Sequence, residues 1–410
     1  MLFGMVSGVS TLVFDDLYEF KRVHPFASIL RAGVTIGIGF VFLLGFLAMI
    51  RNREDALDTA RWVLRGLMAS CIFCVIQHVA NNFFPPLKMV TDAVTTLLTM
   101  TVADWETRSH GFALEPSWLG GQIVLLGIPS FAILAFLGGP GAFKWPHWQR
   151  GLVLLLLLLA SVFSGSRVAI LGSGVCMTLL VLAGGGLVRM VGMAFFSGIL
   201  LFFLSYAGDD EGNQIVSYTR NSVVAIVNSE SIEDVASGSS ALARMVAWSS
   251  ALKTFDQHPV LGVGWGLSPW WYASNVPDWA FIWPSGEVLA CLDPEQDAWP
   301  NPKNMFVRLL AESGIIGTVL FCFAFLAPVI SGWFSAMRSP GLRLCIALIF
   351  VGLVVFFMSV DSFAMPEAWL MFVMLLALPK KSPDGSVVAW LVSPQTANVG
   401  VVKEEKDIIP

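Results

Sequence analysis

Long, unbroken apolar runs constrain this chain more than any other feature of its sequence. The run GLVLLLLLLASVF at 151–163 carries no charge, and comparable runs recur from residue 31 to residue 379. Charged residues make up only 13% of the chain, against about 25% in an average soluble protein. So few charges cannot cover a water-facing surface. The sequence therefore predicts an integral membrane protein.

The apolar runs are typical of transmembrane helices. A membrane barrel would instead show alternating segments of roughly ten residues, and helices satisfy their own backbone hydrogen bonds in lipid. We predict an all-α, polytopic fold of about ten spans. The candidate spans are 1–14, 31–50, 62–80, 118–138, 150–164, 168–186, 190–206, 314–333, 342–360 and 364–379.

Basic residues in the short loops predict the orientation. The loops holding Arg51 to Arg61, Lys144 to Arg150 and Arg338 to Arg343 are rich in Lys and Arg, as is the segment after the last span, and such loops tend to face the cytoplasm. Both termini would then be cytoplasmic. The expected organisation is N-terminal helices over 1–206, a large periplasmic loop over 207–306, C-terminal helices over 307–379 and a cytoplasmic tail over 380–410.

The large loop is too long to be a simple connection. Its acidic residues outnumber its basic ones by twelve to four, a net charge of −8, so any anion it binds must be met by a few placed bases. Seven of the fifteen tryptophans also lie here. They are either interfacial belt residues or flat faces on which sugar rings stack. Ser239–Phe255 has the pattern of an amphipathic helix.

Four segments near the predicted outer face contain the candidate site residues. RSHGFALEPSW holds Arg108 and Glu115, which would form either a structural ion pair or part of a binding site. Arg167 ends a tight Ser-Gly-Ser-Arg turn between two apolar runs. An arginine there opposes the positive-inside tendency and needs a partner, and its guanidinium suits phosphate oxygens; the alternative is snorkelling to headgroups.

The other two segments follow the loop's predicted helix. Arg244 lies in ALARMVAW, and HPVLGVGWG at 258–266 includes Trp265. Lys303 and Asn304 precede Gly314 and Gly317. The glycines permit tight turns and close helix packing. HPVLGVGWG is not expected to bind nucleotide phosphate, because no strand precedes it and no GK[ST] follows it.

Together these segments resemble the bacterial O-antigen ligase and Wzy-type polysaccharide polymerase superfamily, from about Arg108 to Thr318. The ligase signature is His, then Asn, Ser or Gln, nine residues, and GxxG[TV]. Here it reads Lys303-Asn304, MFVRLLAES, then Gly314-Ile-Ile-Gly317-Thr318. Lys303 stands where the ligases carry a histidine. Because an unperturbed lysine is protonated near neutral pH, we expect a cationic contact to pyrophosphate rather than a base.

The resemblance implies a GT-C-like fold and a metal-independent, inverting glycosyltransferase in the bacterial inner membrane, with no cofactor. Its donor would be an oligosaccharide on undecaprenyl pyrophosphate. We assign catalytic roles to Arg167, Arg244 and Lys303, and substrate binding to Arg108, Glu115, Trp265 and Asn304. Other expected partners are membrane lipid and, as candidates, a chain-length regulator and a flippase; no nucleic acid is expected.

Three functions remain open at this point. The first is a polymerase that joins lipid-linked repeat units of O-antigen or exopolysaccharide, which the missing histidine favours. The second is a ligase that moves the glycan onto lipid A-core. The third is a polysaccharide transporter, which would call for charges in the middle of spans, where the runs hold almost none apart from Glu312 and Glu367.

Overall fold

The computed structural model describes Gly8, Thr11 and residues 19–99, 108–138, 146–183, 239–281, 285–337 and 339–380. These residues form an all-helical fold. In chain order the α-helices are α1 Pro25–Met49, α2 Arg53–Phe83, α3 Pro85–Thr99, α4 Pro116–Gln122, α5 Ile128–Phe136, α6 His147–Phe163, α7 Arg167–Ala183, α8 Ser239–Gln257, α9 Pro269–Asn275, α10 Gly286–Leu292, α11 Met305–Ser335, α12 Pro340–Phe357 and α13 Pro366–Ala377.

Helices occur wherever a predicted span falls within the described residues. Within the described ranges, five helical segments are long and apolar enough to cross a membrane, namely Pro25–Met49, Arg53–Phe83, Pro116–Phe136, Met305–Ser335 and Pro340–Phe357. Three shorter apolar helices are Trp148–Phe163, Arg167–Ala183 and Pro366–Ala377. The predicted spans at 190–206 and most of 1–14 lie outside the described residues, as does most of the tail. The count of ten spans stays a prediction.

Segment 116–136 forms the centre of the packing. It has α-helical ends joined by a π-helical turn at Ile123–Gly127. Pro129 follows this turn and has no N–H to donate back along the helix, which is a known cause of such breaks. Residues from this segment, α2, α12 and α13 form one large buried cluster. It lies between helices whose outer faces are apolar and exposed, as α1 and α11 are.

Helix α11 is broken near its start. Gly314 has φ +60° and ψ −166°, so the chain leaves the helical conformation there and resumes it. The amides of Ile315 and Ile316, which in an unbroken helix donate to the carbonyls four residues earlier, donate to Pro259 and Val260. The carbonyls of Ala311 and Glu312 accept instead from Val263 and Gly264. Segment 259–264 thus replaces the lost helical hydrogen bonds.

This clasp, formed by 259–264 and 311–316, explains the glycines of the two motifs. A Cβ on Gly262 would lie 2.5 Å from the backbone of residues 312 and 313, and one on Gly314 would lie 2.4 Å from the Val260 carbonyl oxygen. Both residues have positive φ. The expectation that these glycines allow tight turns and close packing is confirmed.

Helix α8 forms as the amphipathic pattern predicts, although it runs two residues further, to Gln257. Its buried face includes Leu242, Val246 and Ala247, which pack on Tyr272 and Val288 in a small separate core. Burial raises the pKa of the Tyr272 hydroxyl and of the nearby Cys291 thiol. Within the large loop, residues 239–257 therefore have a core of their own.

Candidate functional site

Arg108 lies across the turn that joins α6 to α7. Its Nε donates to the carbonyl oxygen of Ser164 at 3.0 Å. Gly165, with φ +60°, leaves the space that the Arg108 side chain fills, because a Cβ there would come within 3.1 Å of Nε. The next residue in the chain, Ser109, donates its amide to Phe163. The structure therefore brings Arg108 to the turn that ends at Arg167.

Arg167 is half-buried and is the first residue of α7. A cation at a helix N-terminus opposes the helix dipole, at a cost of about 0.3–1 kcal/mol where the end is exposed. At this helix start the Ala169 amide donates to the Ser166 hydroxyl oxygen at 3.4 Å. The contact of Arg167 with phosphate oxygens stays a prediction.

Glu115 precedes α4, and its carboxylate accepts from the Ser117 hydroxyl at 3.1 Å. Helix α4 packs tightly on the same turn, since a Cβ on Gly120 would lie 2.4 Å from that of Ala169. Arg108 and the helix that Glu115 precedes thus both pack on the turn that ends at Arg167, and we call this region the hairpin site. Sequence reasoning placed these three residues in two separate motifs and the fold joins them.

A buried polar network holds the segment between Arg108 and Glu115. The side-chain oxygen of Gln77 accepts from the amides of His110 and Gly111, at 3.2 and 2.8 Å. The imidazole Nδ1 of His110 lies 2.6 Å from the Ala113 carbonyl oxygen. Burial lowers the pKa of His110, although the contact with Ala113 opposes the shift. A neutral His110 therefore fits this network.

Arg244 is half-buried on α8. It lies one turn before Trp248, on the same side of the helix. The indole Nε1 of Trp248 donates to the Pro302 carbonyl oxygen at 2.7 Å. The helix thus presents Arg244 on the side that is anchored next to Lys303.

Lys303 and Asn304 form the start of α11. Lys303 has a positive φ of 48°, and its amide donates to Asn301 Oδ1 at 2.7 Å. Its Nζ pairs with Glu287 at 3.0 Å, and its side chain is 42% exposed. The buried Asn304 accepts from the amides of Phe306 and Val307 through its side chain. Asn304 is therefore a helix cap, while Lys303 offers a charge that is accessible to solvent.

Trp265 is only 3% exposed, so its ring offers no open face for a sugar to stack on. It packs against Phe363, and the Arg308 guanidinium lies over it, 4.9 Å from the ring centre. Trp265 would contribute to a binding site indirectly, by holding the Arg308 guanidinium in place. The expected substrate-binding role for Trp265 stays a prediction, without the stacking geometry that suggested it.

Arg308 is the functional candidate that sequence reasoning missed. Its Nε donates to Glu312 at 2.9 Å and one Nη donates to the Asp361 carbonyl oxygen at 2.9 Å. The Glu312 side chain is 1% exposed and also accepts from Ser268. Arg308 and Glu312 are spaced as an i,i+4 pair, which was the available signal. Asp361 lies far away in sequence and gave none.

A cavity of about 250 Å³ opens beside this ion cluster, which consists of Arg308, Glu312 and Asp361. Helix α1, the loop before α9 and residues 299–302 also line it. Among the described residues, no group of three or more His, Cys, Asp or Glu side chains is arranged to hold a metal ion. The site chemistry visible in the described ranges is that of cations, carboxylates and amides.

The comparison with protein families agrees with the motif resemblance. The family model described as O-antigen ligase matches residues 152–322. That range contains the Ser-Gly-Ser-Arg turn, α8, the clasp and the signature. This match supports the resemblance of the chain to the O-antigen ligase and Wzy superfamily. None of the curated proteins matches the chain.

The matched range contains both sides of the clasp. The two motif pieces HPVLGVGWG and GxxG[TV] lie some fifty residues apart in sequence but are paired through their backbones. The signature's glycines thus fix the geometry of the loop, and its first two positions, here Lys303 and Asn304, begin the helix beside it. In this chain the residues of the signature therefore form one folded unit with segment 259–264.

Proposed function

We propose that this protein is an inverting, metal-independent polysaccharide polymerase in the bacterial inner membrane. It would join oligosaccharide repeat units carried on undecaprenyl pyrophosphate, at the periplasmic face. The family match over residues 152–322 carries the proposal. Lysine in place of the ligase histidine at 303 favours the polymerase over the ligase.

The proposed reaction is a single displacement at the anomeric carbon of the donor. An acceptor sugar hydroxyl attacks the anomeric carbon of the donor, the bond from that carbon to the pyrophosphate oxygen breaks, and the lipid pyrophosphate leaves. The hydroxyl proton passes to a carboxylate, for which Glu115 is the candidate at the hairpin site. Positive charge must meet the leaving group as its negative charge develops. Arg167 and Arg244, with the exposed Lys303, are assigned to that role.

Arg108 is assigned a positioning role in this reaction. Its bond to the Ser164 carbonyl and its contact with Gly165 fix the turn from which Arg167 emerges. Correct placement of two large substrates is itself a large part of such catalysis. An expected consequence is that loss of Arg108 weakens activity through the geometry of the turn.

The ligase remains the second candidate, because the matching family is described by that activity. The two charges within the apolar runs, which a transporter would need in the middle of spans, do not favour that function. Glu312 lies before the break in α11, paired with Arg308, and Glu367 lies in the first turn of α13 beside Gln122. Both charges lie near a helix end and have a partner there. Neither is a charge in the middle of a span, which a transporter would call for.

Glycan gels of a deletion strain separate the candidates. Loss of a polymerase should leave single repeat units on lipid A-core, whereas loss of a ligase should leave bare core with lipid-linked polymer. Loss of a secreted polymer alone would indicate exopolysaccharide. Complementation with Arg167→Ala or Arg244→Ala should give no long chains while the protein stays in the membrane. Normal ladders from both variants would refute the assigned mechanism.

A further inference from the structure

The cavity beside the ion cluster has no role in the proposed transfer step. Its lining, as far as the structure describes it, does not include Arg167, Arg244 or Lys303. At about 250 Å³, it is far larger than the ~10–15 Å³ that one water needs. Its charged and polar lining includes Arg31, Ser268, Asn301, Arg308, Glu312 and Asp361, with Trp299 at its wall.

The charges of this lining balance. Arg31 and Arg308 contribute two positive charges, and Glu312 and Asp361 contribute two negative ones. Arg308 already donates to Glu312 and to the Asp361 carbonyl. A phosphate group in the cavity would be repelled by the two carboxylates, and the Arg308 guanidinium already donates hydrogen bonds within the protein. The lining therefore suits a neutral ligand that donates and accepts hydrogen bonds.

Asp361 supplies an acceptor that the protein leaves unused. The residue is 7% exposed and its Oδ2 atom is buried, without a hydrogen-bond partner among the described residues. Arg308 Nη1 forms an ion pair with it at 3.6 Å, a distance too long for a hydrogen bond. A buried acceptor without a donor is costly, and such atoms call for an explanation. A hydroxyl donated by a ligand in the cavity would provide one.

The other Asp361 oxygen connects the cavity to the signature. Asp361 Oδ1 accepts from Asn301 Nδ2 at 3.2 Å, and Asn301 Oδ1 accepts from the Lys303 amide at 2.7 Å. A ligand bound at Asp361 would therefore lie two hydrogen bonds from a proposed catalytic cation. This is a suitable place for part of a glycan whose reacting end extends towards that cation.

We propose that the cavity is a subsite for one neutral sugar ring of the repeat unit, with Asp361 Oδ2 accepting a hydrogen bond from a ring hydroxyl. Carboxylate, amide and hydroxyl groups beside a tryptophan provide the contacts that a neutral sugar needs. The proposal rests on the proposed function for its glycan, but it concerns binding rather than transfer. Asp361 is a binding residue in this scheme.

The test uses the full-length protein purified in nanodiscs. The probe is the strain's own repeat-unit oligosaccharide, released from its lipid carrier by mild acid and free of phosphate. Isothermal titration should show binding to the unmodified protein. Asp361→Asn should weaken that binding at least tenfold. Asp278→Asn, an exposed loop aspartate outside the cavity lining, is the matched control and should leave it unchanged.

A second variant covers the case in which Asp361→Asn misfolds. Thr35 lines the cavity from α1, and among the described residues its hydroxyl donates to the Ala32 carbonyl of its own helix. Thr35→Trp should fill the cavity and abolish binding while the elution profile stays monodisperse. Normal binding by Thr35→Trp, or no binding by the unmodified protein, would overturn the subsite. Because titration needs no turnover, it is independent of the glycan gels that test the polymerase.

Discussion

The buried Arg308–Glu312 pair gives the sharpest stability prediction. Arg308→Met keeps most of the side-chain volume but leaves the 1%-exposed Glu312 carboxylate without its counter-charge. Removing one partner of a buried pair typically costs about 3–5 kcal/mol. Loss of the contact between Arg308 and Trp265 adds roughly 0.5–2 kcal/mol. The variant should therefore lose a large part of the protein's stability.

The double variant Arg308→Met/Glu312→Gln tests whether that cost is electrostatic. The glutamine removes the lone charge while keeping an oxygen that accepts from Ser268. It should regain on the order of 2 kcal/mol, because the largest penalty is the uncompensated buried charge. The measurement is the apparent melting temperature in one detergent at a fixed heating rate, since unfolding of such proteins is commonly irreversible.

Arg22→Met is the matched control for the same chemical change. Arg22 pairs with Glu295, but both side chains are more than 70% exposed. Exposed pairs contribute about 0–1 kcal/mol, so the melting temperature should hardly move. The reasoning would be refuted if Arg308→Met melted like Arg22→Met, or if the double variant were less stable than Arg308→Met alone.

Three further predictions concern the clasp, the network around His110 and the loop's anchor. Gly314→Ala should lower the apparent melting temperature clearly, because φ is +60° and the new Cβ would meet the Val260 carbonyl at 2.4 Å, whereas Gly174→Ala, in open space, should not. Burial lowers the pKa of His110, so the free energy of unfolding should be greatest above pH 6.5, about the pKa of histidine in the unfolded chain, and should fall as the pH decreases below it. The apparent melting temperature measured from pH 7.5 to 5.0 should show this decrease, and His110→Gln should reduce it. Lys21→Met should make the 285–299 segment more sensitive to protease, since Lys21 Nζ donates to the carbonyls of residues 290, 296 and 298; unchanged cleavage would contradict that anchor.

Hydrophobic runs predicted the helices well because lipid leaves the backbone few alternatives. The predicted span at 314–333 shows how far this reaches. Its start coincides with Gly314, where α11 is broken, because hydropathy rises only after the break. The segment from Met305 to Ser313 is also helical. It carries Arg308 and Glu312, so a search for apolar runs leaves it out of the predicted span. Hydropathy thus predicted the position of the break in α11, but not the helical segment with charged residues that precedes it.

The site was less predictable than the helices because its parts are distant in sequence. Arg108 was a candidate by its charge, but its bond to the Ser164 carbonyl depends on tertiary packing. Trp265 was expected to present a sugar-stacking face, and the packing of Phe363 and Arg308 buries it instead. Asp361 follows α12 in a short polar connection with no local motif. Such placements are set by helix packing, which no single stretch of sequence specifies.

The break in α11 also bears on how the protein keeps the bilayer sealed. A broken helix exposes amides and carbonyls, and each such group left unpaired near hydrocarbon costs several kcal/mol or draws in water. Here the amides of 315 and 316 and the carbonyls of 311 and 312 are all bonded to segment 259–264. Segment 259–264 therefore supplies the hydrogen-bond partners that the break removes. These backbone groups thus need no water at the kink, so the break can lie next to hydrocarbon without opening a hydrated path along the helix.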